Sequence, residues 1–400
     1  MTTTFSGTWS RRSVLARSAQ RRQHERARRH HPTARRITPA PPRSWFLLVV
    51  VGVLTLFGLV MVLSASSVTA LRQVGSGWYF FRRQLLWTLL GTGALVITAR
   101  LDYRIWRRLV PFALFASGTL LVVVLSMGER VNGAKAWLVL GGPIRVQPSE
   151  IAKLALLLYT ADLLARRWEK MSDLHATLWP PLIVLAVASA LVLAEHDLGT
   201  TIVMASIVIA VVYLAGAPMR PLALSTASAG AVAWWVASGS PIRMARITCF
   251  LHPDRLVKGA CWQLNQSLVG IASGGLPGVG LGQGRAKWGF LPEAHTDFIF
   301  AIIGEELGFL GVLIVVGLFA ALAVLGVRVA LRAPDRFGML LAGGVTAWLV
   351  VQAIINVAGV IGLIPETGVP LPFISFGGSA LLVTMAAAGL LINVARQGRP

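Results

Sequence analysis

Apolar residues fall into ten long runs along this chain, and short polar or charged connections separate them. Most runs contain about 18 or more residues, which is the length that a helix needs to cross a membrane. The pattern therefore predicts an all-α polytopic membrane protein with about ten transmembrane helices. The predicted spans are 45–64, 80–99, 109–127, 149–165, 177–194, 198–215, 222–238, 298–327, 338–362 and 376–394.

Basic residues occur mainly in alternate connections between these spans, and this alternation predicts the orientation. Lys and Arg concentrate in the cytoplasmic connections of membrane proteins. If the basic N-terminal tail is cytoplasmic, the other Arg-rich connections and the C-terminus are cytoplasmic too, although Arg82 and Arg83 fit this rule less well. The outer side then holds residues 128–148 and 363–375, together with a large extracytoplasmic loop, 239–297, between spans seven and eight.

Composition supports the membrane assignment and adds a basic tail to it. The 400 residues are 55% hydrophobic and only 13% charged, which is far more apolar than a soluble domain. Residues 1–43 hold eleven Arg and one acid, so they predict a disordered cytoplasmic tail before a membrane domain over 44–395 and a C-terminal tail over 396–400. Beside a membrane helix, anionic lipid is favoured over nucleic acid as the partner of the tail, and protein docking stays open.

Acidic residues cluster where the large outer loop meets the eighth span. Of the 16 Asp and Glu residues, four lie within residues 289–310, at positions 293, 297, 305 and 306. Charge at a membrane boundary is costly, so such a cluster indicates a functional site. The structural alternative is that Asp297 caps the following helix, as Asp197 is predicted to cap the sixth span. Capping by Asp297 leaves His295, Glu305 and Glu306 unexplained.

Two further polar features fall within the apolar pattern. Glu150 and Lys153 are spaced i,i+3 on one helix face, so they are predicted to pair and to face the bundle interior or an outward-open cavity. Two roles stay open for them, an ion pair that fixes helix packing and a direct contact with substrate. The Pro- and Gly-containing residues 365–379 predict a rigid non-helical segment, which is either the wall of a site or a plain turn.

The two cysteines, Cys249 and Cys261, both lie in the large outer loop, and their spacing matches no metal motif. A disulfide requires an extracytoplasmic location, which the orientation predicts, and two free thiols are the alternative. The sequence also lacks Gly-x-Ser-x-Gly, His-Glu-x-x-His and Ser-x-x-Lys, so serine hydrolysis, zinc proteolysis and transpeptidation are unsupported.

Several ordered motifs resemble the SEDS family (shape, elongation, division, sporulation) over nearly all of residues 59–395. The Leu63–Ser67 end of the first span and the Glu293–His295 version of the acidic motif favour the cell-division member over the elongation member. Three positions depart from the family pattern, at His196, Trp262 and Phe376, and none removes a carboxylate. The matching segments are residues 62–67, 132–137, 147–153, 197–200, 266–275, 291–300, 304–308 and 370–379.

The resemblance implies a peptidoglycan glycosyltransferase that polymerises lipid II outside the bacterial cytoplasmic membrane, at the division septum. It implies a cognate class B penicillin-binding protein and other divisome proteins as partners. The essential aspartate of the family falls on Asp297. A lipid II flippase, an elongation-type polymerase and a scaffold for the transpeptidase remain as alternatives.

The expected chemistry gives roles to the polar residues of the outer face. Asp297 is the candidate general base, which would activate a sugar hydroxyl, or the ligand of a divalent cation such as Mg or Mn. Cationic side chains are expected to neutralise the pyrophosphate that leaves. The candidate substrate-binding residues are Glu150, Lys153, Lys135, Arg243, Arg246, Gln266, Glu293, His295, Thr296, Glu306 and Ser375.

Overall fold

The computed structural model describes residues 43–131, 134–141, 144–171, 173–251 and 261–398. The predicted basic tail over 1–43 therefore lies outside the described residues except for its last position. The predicted C-terminal tail is described only as far as residue 398.

The described chain is mostly helical, and ten of its helices coincide with the ten predicted spans. Five of them are long and apolar enough to cross a membrane by length and composition, namely Ser44–Val74, Tyr103–Met127, Ile299–Leu331, Arg336–Val360 and Gly378–Gln397. Two shorter apolar helices are Trp179–Ala194 and Leu198–Leu214. The helices are α1 (Arg43–Val74), α2 (Tyr79–Arg100), α3 (Tyr103–Met127), α4 (Pro148–Arg166), α5 (Leu174–Thr177), α6 (Trp179–Ala194), α7 (Leu198–Leu214), α8 (Met219–Ser238), α9 (Pro241–Leu251), α10 (Trp262–Gly274), α11 (Ile299–Leu331), α12 (Arg336–Val360) and α13 (Gly378–Gln397).

Aspartate side chains define the first residue of three of these helices. Asp197 accepts a hydrogen bond from the Thr200 amide at 2.9 Å, as the sequence predicts for α7. Asp102 and Asp335 cap α3 and α12 in the same way. A cap of this kind contributes about 1 kcal/mol because it satisfies an amide that has no partner within the helix.

Contacts between helix ends place alternate connections at opposite ends of the bundle. At one end, Arg104 pairs with Asp335 at 3.0 Å, and Arg107 pairs with Asp162 at 2.7 Å. At the other end, the Gln147 side chain donates to Asp197 at 3.0 Å. The first end carries the predicted cytoplasmic connections and the second carries the predicted outer ones. The two sets therefore lie at opposite ends, and which end faces the cytoplasm stays a prediction.

The connection 128–148, predicted to lie on the outer side, contains three short antiparallel strands that the hydropathy pattern does not predict. They are β1 (Glu129–Val131), β2 (Ala134–Gly141) and β3 (Ile144–Val146), in the order β1-β2-β3. Lys135 in β2 reaches back to the end of α3, where its ammonium donates to the carbonyls of Leu125 and Ser126 at 2.7 and 2.8 Å. A cation is favourable at a helix C-terminus because it meets unsatisfied carbonyls and the negative end of the helix dipole.

The large outer loop is not a plain loop, because it contains α9, α10 and a 3₁₀ turn over Ala286–Trp288. Cys249 in α9 and Cys261, the residue before α10, form a disulfide, so the disulfide is present and the free-thiol alternative is wrong. Helix α10 packs against α11. The disulfide therefore fastens α9 to a helix that belongs to the bundle.

Helix α11 is interrupted at Gly308, which the hydropathy pattern does not reveal. Gly308 has φ +65°, a left-handed conformation that glycine adopts without steric cost. The break brings the Gly-rich turn after α10 against α11, and the Phe309 amide donates to the Gly275 carbonyl at 2.9 Å. The first two turns of α11 are thereby fixed against the outer loop.

Candidate functional site

Asp297 lies at the end of the bundle that carries the predicted outer connections, two residues before α11 begins. The preceding turn is closed by Glu293, whose carbonyl accepts from the Thr296 amide at 3.1 Å and whose carboxylate accepts from the Thr296 hydroxyl at 3.0 Å. Phe298 occupies the cap position of α11, which has no side-chain cap hydrogen bond. The structural alternative for Asp297, a helix cap, is therefore wrong, and its carboxylate is available for another role.

Asp297 lines a small cleft between the start of α11, the end of α12 and residues 366–369. Its other polar lining side chains are those of Asn356, Glu366 and Thr367. Arg246 reaches the cleft from α9, with its guanidinium 3.9 Å from the Glu366 carboxylate. The cleft thus brings two carboxylates and one partly exposed cation to one place.

Gly368 separates Asp297 from Arg246. A β-carbon built on Gly368 would lie 3.6 Å from Asp297 Oδ2 and 3.9 Å from Arg246 Nη1. Gly368 also has φ +70°, which disfavours other residues. A side chain at this position would enter the space between the acid and the cation.

The electrostatic environment of the cleft disfavours ionised carboxylates. Burial, with added repulsion from Glu293 and Glu366, raises the pKa of Asp297 to about 7, and Arg246 opposes this rise. Burial also raises the pKa of Glu366, again opposed by Arg246. An acid with a pKa near neutrality exchanges protons readily at physiological pH, which suits a general base.

Asn356 fixes the backbone around Asp297, and sequence reasoning missed it. Its side-chain amide donates to the carbonyls of Asp297 and Val369, both at 2.8 Å. One turn earlier on α12, the Gln352 amide donates to the Pro370 carbonyl at 2.9 Å. The sequence does contain a sign of this arrangement, because Gln352 and Asn356 are four residues apart in an apolar helix and so lie on one helix face.

Glu150 and Lys153 form a buried pair deeper in the bundle, with 2.8 Å between Lys153 Nζ and Glu150 Oε2. Lys153 also donates to Gln352 at 3.2 Å, and its ammonium lies 5.3 Å from the centre of the Trp348 ring. Their predicted pairing and interior position are both present. Through Gln352 the pair touches the same 369–370 segment that borders the Asp297 cleft.

Ser375 and His295 join the acidic motif to the segment before α13. The Ser375 hydroxyl donates to the Thr296 carbonyl at 2.6 Å and accepts from the Leu371 amide at 2.8 Å. His295 is buried between the rings of Phe80 and Phe376, with centroid distances of 4.5 and 5.5 Å. Burial lowers the pKa of His295, and nearby Glu293 opposes that effect.

Glu306 lies in a separate buried network beneath the Gly-rich turn. Its carboxylate accepts from Lys287 Nζ at 2.7 Å, from the Ser64 hydroxyl at 2.6 Å and from the Gly282 amide at 3.0 Å. The neighbouring Glu305 accepts from the amides of residues 285 and 286. These two acids fasten the outer loop to α1 and α11.

The remaining candidates are spread over the outer face. Lys135 is occupied at the end of α3, and Arg243 donates to the Val236 carbonyl at the end of α8 at 3.3 Å. Gln266 is half-buried on α10. Within the part of the chain that the structure describes, no group of three or more His, Cys, Asp or Glu side chains is arranged to hold a metal ion.

A buried acid that the sequence did not single out lies between α6 and α7. Both oxygens of Glu195 are buried without a hydrogen-bond partner among the described residues. Burial, with repulsion from Asp197, raises the pKa of Glu195 to about 8. The carboxyl is therefore protonated at neutral pH, which removes the cost of a buried charge.

Comparisons with known proteins place this arrangement among cell-wall enzymes. The FtsW/RodA/SpoVE family model, described as "Cell cycle protein", matches residues 44–399. The chain is 40% identical over 350 residues to the "Probable peptidoglycan glycosyltransferase FtsW" of Trichlorobacter lovleyi, covering 87% of this chain and 92% of the relative.

Solved structures show the same fold. One described as "Structural coordination of polymerization and crosslinking by a peptidoglycan synthase complex" has a TM-score of 0.72 and 29% identity, covering 88% of this chain and 97% of that one. The rod shape determining protein RodA of Thermus thermophilus has a TM-score of 0.65 and 28% identity, covering 89% and 97%.

Proposed function

The chain belongs to the FtsW/RodA/SpoVE family of cell cycle proteins, and on that premise we propose that it polymerises lipid II as a peptidoglycan glycosyltransferase. It is an integral membrane protein, and the reaction takes place at the outer face of the cytoplasmic membrane. The observation that carries the proposal is Asp297, a carboxylate free of capping duty beside a cleft and an arginine.

In the proposed reaction, the 4-hydroxyl oxygen of one lipid-linked disaccharide attacks the anomeric carbon of another. A new glycosidic C–O bond forms while the bond from the anomeric carbon to the pyrophosphate oxygen breaks. The hydroxyl proton goes to Asp297, and undecaprenyl pyrophosphate leaves with the electron pair. A positioned base contributes typically 10²–10⁴-fold to such a step.

The cation of the cleft has a matching role. Negative charge develops on the pyrophosphate as its bond breaks, and a preorganised positive group stabilises that charge. The Arg246 side chain is partly exposed beside Glu366, so it is accessible to a ligand. We assign the pyrophosphate to Arg246, whose guanidinium lies 3.9 Å from the Glu366 carboxylate.

A divalent cation on Asp297 would supply the same stabilisation by a different route. Removing divalent cations with EDTA decides between the two roles. Loss of polymerisation that Mg or Mn restores assigns the ligand role to Asp297, and unchanged polymerisation assigns the base role.

The proposed partner is a cognate class B penicillin-binding protein, and the proposed place of action is the division septum. The partner is supported by the structural match to a complex that coordinates polymerisation and crosslinking, and the division role by the relative named FtsW. Septal enrichment of a fluorescent fusion, compared with an even distribution along the cell, tests the division role against an elongation role.

The decisive experiment is lipid II polymerisation by the full-length chain with its transpeptidase partner, read as glycan ladders on a gel. Asp297→Asn is compared with wild type and with Asp102→Asn, a control that also neutralises an aspartate. Asp102 lies at the opposite end of the bundle as the α3 cap, and Asn caps equally well.

Ladders that vanish only in Asp297→Asn support the proposal. Ladders at the wild-type rate in Asp297→Asn contradict it. Absence of ladders from a well-folded wild-type complex contradicts it as well, and a lipid-translocation assay then tests the flippase alternative.

A further inference from the structure

The Arg246 helix is held to the bundle by a covalent bond that the proposed chemistry does not itself require. Arg246 and Cys249 are three residues apart in α9, so they lie on the same helix face. The Cys249–Cys261 disulfide therefore fixes the helical turn that carries the guanidinium. Both cysteines are buried, with 2% and 0% of their surface exposed.

The rest of the support for α9 is weak. The helix packs against α8, whose buried residues are Leu222 and Ala237, so α8 itself lies at the periphery of the bundle. Arg243 adds a hydrogen bond to the last turn of α8. Among the side chains of α9 that the structure describes, only Cys249 is buried, and a helix with few buried side chains moves readily unless another contact holds it.

The other side of the disulfide is firmly attached to the cleft. Helix α10 begins directly after Cys261, and the Trp262 indole donates to the Phe290 carbonyl at 2.7 Å. The Ser267 hydroxyl donates to the carbonyl of Val360, a residue that lines the Asp297 cleft, at 2.8 Å. The disulfide thus connects the Arg246 helix to the same elements that hold Asp297.

We propose that the Cys249–Cys261 disulfide is a positioning device that holds the Arg246 guanidinium at the Asp297–Glu366 cleft. This inference rests on the proposed function, because it concerns the cation that the proposed reaction uses. The ion pair between Arg246 and Glu366 is long, at 3.9 Å and with 38% of the arginine side chain exposed. A partly exposed pair of this kind holds a side chain only loosely, so the covalent link supplies the precision.

The proposal requires that the disulfide acts through Arg246 and not through general stability. A double-mutant cycle separates these effects, since coupling between two changes appears as a departure from additivity. The four proteins are wild type, Cys249→Ala/Cys261→Ala, Arg246→Ala and the triple variant, each full-length and in complex with the transpeptidase. The measured quantities are kcat and KM for lipid II.

The expected result is a kcat about tenfold lower without the disulfide, because small misplacements of a positioned group are costly. Arg246→Ala is expected to lower kcat about 10²-fold. The triple variant should be no slower than Arg246→Ala, because the disulfide has nothing left to position. Arg246→Lys keeps the charge but not the planar set of guanidinium donors. With the disulfide intact, its kcat should lie between those of Arg246→Ala and wild type.

Two outcomes overturn the inference. The first is wild-type kcat in the paired-cysteine variant. The second is a triple variant that is slower than Arg246→Ala by the same factor that disulfide loss produces alone, which assigns the disulfide to stability.

A second measurement does not depend on activity or on a variant that folds. A dithiol gives two electrons and two protons to the cystine, which becomes two thiols while the reagent closes to a cyclic disulfide. Mass spectrometry after alkylation then counts the thiols, and hydrogen exchange follows the amides of residues 241–251. Faster exchange in α9, with α10 unchanged, supports the tether, and equal exchange contradicts it.

The ladder assay and the exchange measurement can fail independently of each other. A wild-type complex that makes no ladders but shows the α9 exchange difference contradicts the proposed function and leaves the tether standing. An active complex without that difference, or a protein whose untreated cysteines both alkylate, contradicts the tether alone.

Discussion

Asp297 and Glu306 belong to one acidic motif and lie nine residues apart, yet their surroundings are opposite. Glu306 is fully buried and accepts three hydrogen bonds, one of them from the Lys287 ammonium. Asp297 faces a cleft, where Glu293 and Glu366 repel its charge and Arg246 favours it. A satisfied buried charge fixes structure, whereas an acid held beside a cleft among like charges is suited to chemistry.

The largest expected difference is in catalysis. Asp297→Ala should lower kcat by about 10²–10⁴-fold, because the general base is lost. Its unfolding temperature should stay at or above that of wild type, since the variant removes a carboxylate that the cleft disfavours. Turnover and detergent-solubilised thermal unfolding measured on one preparation check both parts, and a large drop in unfolding temperature would contradict the comparison.

The next effect is in stability, at the other acid. Glu306→Ala should lower the free energy of unfolding by about 3–5 kcal/mol, because it leaves the Lys287 charge buried without a partner. Lys287→Met combined with Glu306→Leu should recover most of that loss, since no charge stays buried. Denaturant unfolding of the three proteins checks this, and a Glu306→Ala protein as stable as wild type would show that the network is not structural.

A smaller effect is expected from filling the cleft. Gly368→Ala places a methyl group between Asp297 and Arg246 and strains a backbone with φ +70°. We expect kcat to fall by about 10- to 10²-fold, because the methyl group occupies the space beside the acid and the cation and misplaces the substrate. Gly216→Ala is the matched control, because Gly216 has φ +84° with open space around its β-carbon position. Equal losses in both variants would attribute the effect to backbone strain alone.

The smallest expected effect is in the pH dependence. A base with a pKa of about 7 must lose its proton to act, so kcat/KM should rise with pH through about 7 and be about tenfold below its plateau at pH 6. Measuring kcat/KM from roughly pH 5.5 to 8.5, the range in which an Asp297 carboxyl with this pKa changes its protonation, would check this. A flat profile would contradict the raised pKa of Asp297.

The direction of the Asp297 pKa shift also determines how the stability of the fold changes with pH. The raised pKa means that the folded state favours protonated Asp297, so its contribution to stability is present at low pH and is lost as pH rises through about 7. Asp297→Asn removes this loss. The variant should therefore exceed wild type in unfolding temperature at pH 8 and match it below pH 4, where both carry a neutral side chain.

Hydrophobic run length predicted the positions of the long helices, because ten helices coincide with the ten predicted runs. Five of these helices are long and apolar enough to cross a membrane, so the count of ten spans stays a prediction. The rule fails within the outer connections. Helices α9 and α10 and the three β-strands are short, so they carry no long periodic pattern. Gly308 interrupts α11 without a change in hydropathy, since the turn that packs there, at Gly275 and Leu276, lies much earlier in the chain.

The composition of the candidate site was predicted only in part. Asp297 and Arg246 were both singled out from the sequence, but Glu366, Asn356 and Gly368 were not linked to them. These five residues come from four separate segments of the chain, and only tertiary packing, including that of α12 against α11, brings them to one cleft. Glu306 is the opposite case. Its position in the acidic motif predicted a contact with substrate, but in the structure its carboxylate accepts hydrogen bonds from Lys287, Ser64 and Gly282.

The sequence by itself determined the membrane class and the family, because these depend on composition, run length and local order of residues. The tertiary structure decided which charges are satisfied. Pairing depends on groups far apart in the chain, as in Ser64, Lys287 and Glu306, or in Asp297 and Glu366. The free energy of a buried charge is set by such partners, so no local pattern distinguishes an acid that fixes the fold from one that carries out the reaction.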